Sequence, residues 1–483
     1  MTLAIRNAEA VPLADVPNYP SDVFRDVVLG EVEEGGRIAA LFGVPHDGRV
    51  RLYAVVADDH GAALKLLAAD VEKSYPALAP ECPQAQLFER EVWEQHGVMP
   101  EGHPWLKPVR RHPGYRNFYR VEGEEVHEVA VGPVHAGVIE PGHFRFQCHG
   151  EDVFHLEISL GYQHRGVERA LVGGPTPRTV HYMETLAGDT TIGHTTAYCH
   201  AVEALSRTRV PARAHILRGV ALELERLANH TGDLGALAND VAYLPTASYC
   251  GRLRGEFLNL TALVCGNRFG RGWLRPGGVR FDLEPYRAAQ LSERLEKAAR
   301  DVEGAVELLW KTPSVVARFE DTGTVSREDC LALGLVGPSA RACGVERDVR
   351  RDHPTGIWSF TQVPVSSWHT GDVFARAYVR WMEVQRSIGF IRDQVKALPS
   401  GETMGKAGPL EPDRLVVSLV EGWRGEVCHV AATGRDGRFA AYKVVDPSFH
   451  NWSGLAMALR GQQISDFPLC NKSFNLSYCG HDL

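Results

Sequence analysis

Ten cysteines stand among the 483 residues, at 82, 148, 199, 250, 265, 330, 343, 428, 470 and 479, and no two are separated by two residues. Without a Cys-x-x-Cys pair, a zinc ribbon, a thioredoxin-type dithiol and a cysteine-ligated iron–sulfur cluster all lose their usual signal. Sparse thiols without a secretory leader fit reduced, buried side chains in the cytoplasm. Long apolar runs are also missing. The longest stretch free of Asp, Glu, Lys and Arg is His353–Gly371, and it carries two prolines and two histidines. A spanning helix needs about 20 mostly apolar residues. Met1–Pro20 has no basic start followed by an apolar run, so no signal peptide is expected. The formal charge of −8 removes the basic footprint of a nucleic-acid binder. No Gly-x-Gly-x-x-Gly fingerprint occurs, which argues against a nicotinamide site.

What is present is ordinary globular composition, 44% hydrophobic and 23% charged, which excludes disorder over most of the chain. At roughly 100–200 residues per domain the length allows about two to four units. Arg37–Val44 and Arg49–Val56 read as strands around the turn signal Asp47-Gly48. Leu64, Leu66, Leu67 and Val71 read as one face of a helix. A further helix is expected from Gln84 to His96, then a Pro- and Gly-rich linker over Gly97–Gly114. Extended runs follow at Val126–Val131, His143–Cys148 and Val153–Gly161. Five long helices are predicted over Thr179–Leu205, Ala212–Asn239, Tyr249–Asn267, Glu284–Lys311 and Val373–Leu398. Strands return at Leu415–Val420, Glu426–Ala432 and Arg438–Val445. The expected class is α+β: a small sheet-and-helix domain over 1–120, then a long-helix bundle with flanking β-structure over 121–483.

Leu87-Phe88-Glu89-Arg90-Glu91-Val92-Trp93-Glu94, followed by Gly97, Gly102-His103-Pro104, Leu106-Lys107 and Arg110, resembles the signature of the thirty-kilodalton subunit of respiratory NADH dehydrogenase, complex I. Taken residue by residue it is a charged helix and a stiff linker. The resemblance implies docking against the neighbouring forty-nine-kilodalton subunit, with no chemistry of its own. The remainder is similar to that neighbour and to the large subunits of membrane-bound energy-converting [NiFe] hydrogenases. Gly132-Pro133-Val134-His135, Glu140-Pro141-Gly142-His143-Phe144-Arg145-Phe146 and Gly161-Tyr162-Gln163-His164-Arg165-Gly166-Val167-Glu168 carry the likeness. So do Glu225-Arg226-Leu227-Ala228-Asn229-His230, Arg275-Pro276-Gly277-Gly278-Val279 and Asp446-Pro447-Ser448-Phe449-His450-Asn451-Trp452.

Those hydrogenases hold nickel and iron with two Cys-x-x-Cys pairs, whose soft thiolates suit the metals. Aligned on His194-Thr195-Thr196-Ala197-Tyr198, the first pair falls at Ala187 and Thr190, on one predicted helix; aligned on Asp446-Pro447, the second falls at Ser448 and Asn451. None of the four is cysteine, so no metal is expected on this chain. The implied fold gathers these positions around one pocket. The polar groups left beside it are His164, Arg165, Glu168, Asp189, His194 and Asp446, the candidate catalytic set: Arg raises a nearby cluster's potential, and carboxylates relay protons. A plainer reading pairs Arg165 with Glu168 at a helix start. The complex I branch implies quinone reduction by a His and a Tyr, whose positions fall at Ile139 and Gly188. His135, His143 and His230 are the imidazoles left to meet a quinone.

The resemblance therefore implies an oxidoreductase subunit taking part in electron transfer, with quinone as the acceptor class. No cofactor is expected on this chain alone. The implied partners are a small iron–sulfur subunit that carries the cluster, a ferredoxin-like subunit and membrane subunits. The implied location is cytoplasmic, peripheral on the inner face of the cell membrane. The rival reading is a non-catalytic scaffold that keeps the interfaces and has lost the chemistry.

Overall fold

The computed structural model describes residues 2–110, 117–137 and 139–483. Asp47 and Gly48, with φ of 46° and 77°, form the two-residue turn of a hairpin between Arg37–His46 and Arg49–Asp58. Positive φ at both positions is what such a turn requires, and its twist matches the strands. Ala63–Val71 then adds a third antiparallel strand, with Leu64 opposite Ala57 and Leu66 opposite Val55. A helix was expected there. The strand is buried on both faces, so its apolar residues form a continuous run whose period does not separate helix from strand. The docking helix runs Gln86–His96 and ends on Gly97 in the left-handed conformation.

A second sheet has the order Phe439–Val445, Gly425–Thr433, Arg414–Gly422, Ala10–Pro12. Its edge strand comes from the start of the chain, with Val11 opposite Leu415. Along Arg414–Gly422 the residues alternate between two cores. Leu415, Val417 and Leu419 join the core of the N-terminal domain, while Val416 and Val420 join the core of the bundle. This sheet is a wall shared by the two segments, which is why its strands read as unbroken apolar runs. A third sheet orders Asp152–Ser159, His143–His149 and Val126–Val131.

The bundle consists of Thr191–Leu205, Ala212–Asp240, Leu244–Cys265, Pro285–Lys311 and Val373–Lys396. Ala212–Asp240 is central: 21 of its 29 residues are buried, among them Glu223, Glu225 and Arg226. Pro285–Lys311 lies outside, burying one stripe through Leu291, Leu295, Ala298, Val302 and Leu309. The helix predicted over Thr179–Leu205 is broken. Thr179–Met183 and Thr191–Leu205 are helical, and residues 184–190 between them are not. That break carries the first vacated pair.

Candidate functional site

Side chains from three parts of the chain fix the unwound segment. Asp189 takes φ of 57°, and its carbonyl accepts Asn229 Nδ2–H at 3.0 Å and Trp423 Nε1–H at 2.9 Å. Glu225 accepts the Ile192 and Gly193 N–H groups at 2.6 and 3.1 Å, in the first turn of the following helix. Those N–H groups have no partner inside the helix, so a buried carboxyl supplies one. Burial pushes the Glu225 carboxyl up to about 8, although both backbone hydrogen bonds pull it down. Arg165 donates to Thr185 O at 2.9 Å and Leu186 O at 3.0 Å from the solvent side.

Arg424 holds the unwound segment from the wall. It sits in the turn between Arg414–Gly422 and Gly425–Thr433, stacked 3.9 Å from the Trp423 ring. Its Nη1 donates to Gly188 O at 2.8 Å and Thr190 Oγ1 at 3.1 Å, and its Nε to Asn475 O at 2.6 Å. Gly337 lets this turn approach. A Cβ there would stand 2.3 Å from Gly425 Cα and 2.4 Å from Arg424 O.

The second vacated pair opens the helix Pro447–Ala458. Asp446 caps it, accepting Ser448 N–H at 2.8 Å. Ser448 Oγ accepts Ser477 N–H at 2.8 Å. Asn451 exchanges two hydrogen bonds with Val336, receiving its N–H at 3.0 Å and donating to its C=O at 3.1 Å. The half-buried Cys479 thiol approaches Ser477 Oγ at 3.5 Å, and the Glu140 and Arg165 charges both act on it.

From Asp446 a buried chain of titratable groups runs inward. His194 Nε2 lies 3.0 Å from Asp446 Oδ2, His194 Nδ1 lies 3.0 Å from His429 Nε2, and His429 Nδ1 lies 2.9 Å from the Tyr442 hydroxyl. Burial and the neighbouring His194 hold His429 well below the usual imidazole range, so it is neutral. Burial opposes ionisation of Asp446, but its bonds to His194 outweigh that and keep it low. With Asp446 ionised and His429 neutral, His194 Nε2–H donates to Asp446, and one arrangement that satisfies the remaining links has Tyr442 O–H donating to His429 and His429 Nε2–H to His194. Gly480 makes room for the carboxylate; a Cβ there would lie 2.7 Å from Asp446 Cγ.

The structure thus joins His194, Asp446 and Ser448 by hydrogen bonds, with Thr190 at the start of the helix that carries His194 and Arg165 on the carbonyl just before Ala187. Others of the predicted set point elsewhere. His164 Nδ1 pairs with Asp482 O at 3.0 Å, and Asp189 forms an exposed ion pair with Arg254 at 2.8 Å. Glu168 binds Lys443 Nζ and Val444 N–H, each at 3.0 Å, so the expected Arg165–Glu168 pair does not form. His135 Nε2 meets Gly142 O at 2.8 Å, and His143 packs edge-on against Phe118. His230 bonds Glu383 at 2.8 Å inside a buried ionic cluster. Arg424, Trp423, His429 and Tyr442 escaped the sequence reading, and Glu225 appeared there only within a motif; an arginine between Trp423 and Gly425 in a strand-to-strand turn was the one local signal.

A nickel–iron centre needs four thiolates, and these four positions offer a methyl, two hydroxyls and an amide. The polar three are already hydrogen-bonded to protein, so this donor set does not fit the metals. Among the described residues, no group of three or more His, Cys, Asp or Glu side chains is arranged to hold a metal ion.

The charged helix and linker that follow the first sheet are used for docking. Glu89 accepts Leu78 and Ala79 N–H, and Glu94 accepts Val109 and Arg110 N–H. Glu91 joins Arg110 at 2.5 Å to Lys443 at 2.7 Å, and Lys443 belongs to the shared wall. Phe88 meets Phe449 with ring centroids 5.0 Å apart.

Residues 33–120 match the family profile of the respiratory-chain NADH dehydrogenase 30 Kd subunit, and residues 240–411 that of the 49 Kd subunit. The carbon monoxide-induced hydrogenase of Rhodospirillum rubrum is 33% identical over 353 residues, 72% of this chain and 96% of the relative. Formate hydrogenlyase subunit 5 of Escherichia coli is 28% identical over 481 residues, 92% of this chain and 84% of the relative. The D subunit of the NADH-quinone oxidoreductase of Dehalococcoides mccartyi is 31% identical over 342 residues, 70% of this chain and 92% of the relative. With a segment of the smaller type fused ahead of one of the larger type, the chain belongs to the family of the respiratory NADH dehydrogenase 49 Kd subunit and its hydrogenase relatives.

Proposed function

We propose that the chain is a subunit of a complex I-like, membrane-associated oxidoreductase. It takes part in electron transfer beside an iron–sulfur partner, without a nickel–iron centre of its own, and a quinone is the acceptor class. The observation that carries this reading is the unbroken chain Asp446–His194–His429–Tyr442, kept next to the replaced position Ser448. Reducing a quinone to the quinol consumes two electrons and two protons. The partner's cluster supplies the electrons, and ionised Asp446 at the pocket is placed to hand on protons. Fixed imidazole tautomers hold that carboxylate in position. Among the described residues no helix is long and apolar enough to cross a membrane, so membrane contact falls to partner subunits.

The scaffold reading is favoured by a different observation: Arg424, Asn451 and Ser448 already spend their hydrogen bonds on the protein. Electron transfer from the reduced purified assembly to a soluble quinone analogue separates the two. Wild type should turn over, and Asp446→Ala should slow it at least tenfold while leaving the assembly intact. Equal rates for the two, or no transfer by wild type, would favour the scaffold.

A further inference from the structure

Behind the Arg424 turn lies a cluster of buried charges that the site does not use. Arg226 binds Glu223 at 3.1 Å, Glu383 at 3.0 Å and the carbonyls of Glu421 and Gly422. Arg341 binds Glu383 at 2.5 Å and Glu421 at 2.8 Å. Arg350 binds Glu223 at 3.1 Å and Asp348 at 2.6 Å. Three arginines therefore face four carboxylates, and all seven side chains are at most 4% exposed. A lone surplus charge at such depth is costly, so the cluster is close to neutral only when it holds one proton. His230 and Glu421 are the two places for it. His230 donates or accepts through Nε2 alone, and its Nδ1 is buried without a partner. Protonating that nitrogen would bury an unpaired N–H. Glu421 offers carboxylate oxygens to Arg341 and to Val349 N–H at 3.1 Å.

We propose that this cluster is a proton-loading site, with the exchangeable proton on Glu421 and its entry from the cleft between the N-terminal and bundle segments. Two cavities with shared lining residues lie along that path. That cleft has a volume of about 580 Å³ and is lined by Asp59, His60, Arg347 and Asp352. Asp59, Arg347 and Asp352 also line a cavity of about 10 Å³ that reaches Glu421, Glu426 and Arg37. Such a volume is room for about one water with polar partners on every side. The groups facing Glu421 are Arg341, Asp348 and Arg350 from the 337–352 segment, Arg226 and Glu223 from the central helix, and Glu383 through Arg341. Across the strand pair stands Glu426, held by Arg37. Burial pushes Glu421 up to about 7, with Arg341 opposing and Asp348 adding to the rise. Burial also opposes ionisation of Glu383, but Arg341 and Arg226 outweigh it, and that carboxyl stays ionised.

The consequence reaches the site because Glu421 is the penultimate residue of the strand that leads into the turn carrying Trp423 and Arg424. Loading the proton weakens the hold of Arg341 on Glu421, and the turn loosens over Gly188 and Asp189. The inference stands on the cluster and its cavities, whether or not the chain passes electrons to a quinone.

Infrared difference spectra of the full chain, titrated from about pH 5 to about pH 9, test it directly. Glu89 and Glu225 are also raised, to about 7 and about 8, so the Glu89→Gln/Glu225→Gln chain is the background. That background should keep one protonated-carboxyl band that loses half its area near pH 7, and adding Glu421→Gln should abolish it. Hydrogen exchange at residues 421–426 should quicken at the acid end in the background and lose that pH dependence in Glu421→Gln. A background without such a band overturns the proposal even when Glu421→Gln does not fold. A band that survives Glu421→Gln places the proton elsewhere, and unchanged exchange removes the link to the turn.

Discussion

Replacing Glu91 by glutamine tests how the two segments are held together. Glu91 is 1% exposed and joins Arg110 to Lys443, so the amide strips the buried Arg110 of its bonded carboxylate and leaves Lys443 with Glu168 alone. Burial raises the cost of its charge, but Arg110 and Lys443 overcome that and hold the carboxyl at about 2, against 4.5 in the unfolded chain. At 1.36 kcal/mol per unit, that difference is worth about 3.4 kcal/mol at neutral pH. Removing one partner of a buried ion pair costs about 3–5 kcal/mol by an independent measure. A depressed carboxyl contributes fully above its unfolded value of 4.5 and loses that contribution as pH falls through about 2. By the same relation about 1.4 kcal/mol remains near pH 3. Equilibrium urea unfolding of wild type and Glu91→Gln, followed by circular dichroism and tryptophan fluorescence together, reads both values and checks that one transition is seen. A loss below about 1 kcal/mol at neutral pH, or one undiminished in acid, would refute the reasoning.

Other consequences are more local. Gly337→Ala, at φ of 67° and with its Cβ 2.3 Å from Gly425 Cα, should cost about 2–5 kcal/mol in a thermal melt and displace the Arg424 turn. Asn451→Ala leaves the Val336 N–H and C=O without partners and should cost about 2–4 kcal/mol by urea unfolding. Glu225, raised to about 8, binds a proton in the folded chain that the unfolded chain releases near 4.5. Stability should therefore fall as pH rises between those values, by up to about 1.4 kcal/mol per unit, and Glu225→Gln should flatten that fall in melts taken across the window.

The sequence carried the local features well. Asp47-Gly48 announced its hairpin because a two-residue turn needs positive φ, and four of the five long helices ran close to their predicted bounds. What escaped was set by tertiary contact. Ala63–Val71 has apolar residues on both faces, so only its neighbours decide that it is a strand. The break at residues 184–190 contains no proline, and Glu225, Asn229 and Trp423, all distant in sequence, hold it open. Motif alignment picked out the vacated positions and Arg226, yet it gave no hint of the charges that surround that arginine. Arg226, the Arg341/Arg350 segment and Glu421 stand about seventy or more residues apart along the chain and share no spacing. Lone histidines such as His429, inside an apolar strand, look like core residues until their partners are known.

Elemental analysis of the purified assembly tests the central claim most directly. Ala187, Thr190, Ser448 and Asn451 offer no thiolate, and the three polar ones are bonded to Arg424, Ser477 and Val336. Nickel should be far below one atom per chain, and iron should equal the content of the partner's clusters alone. One nickel per chain, with iron in excess of those clusters, would contradict the account.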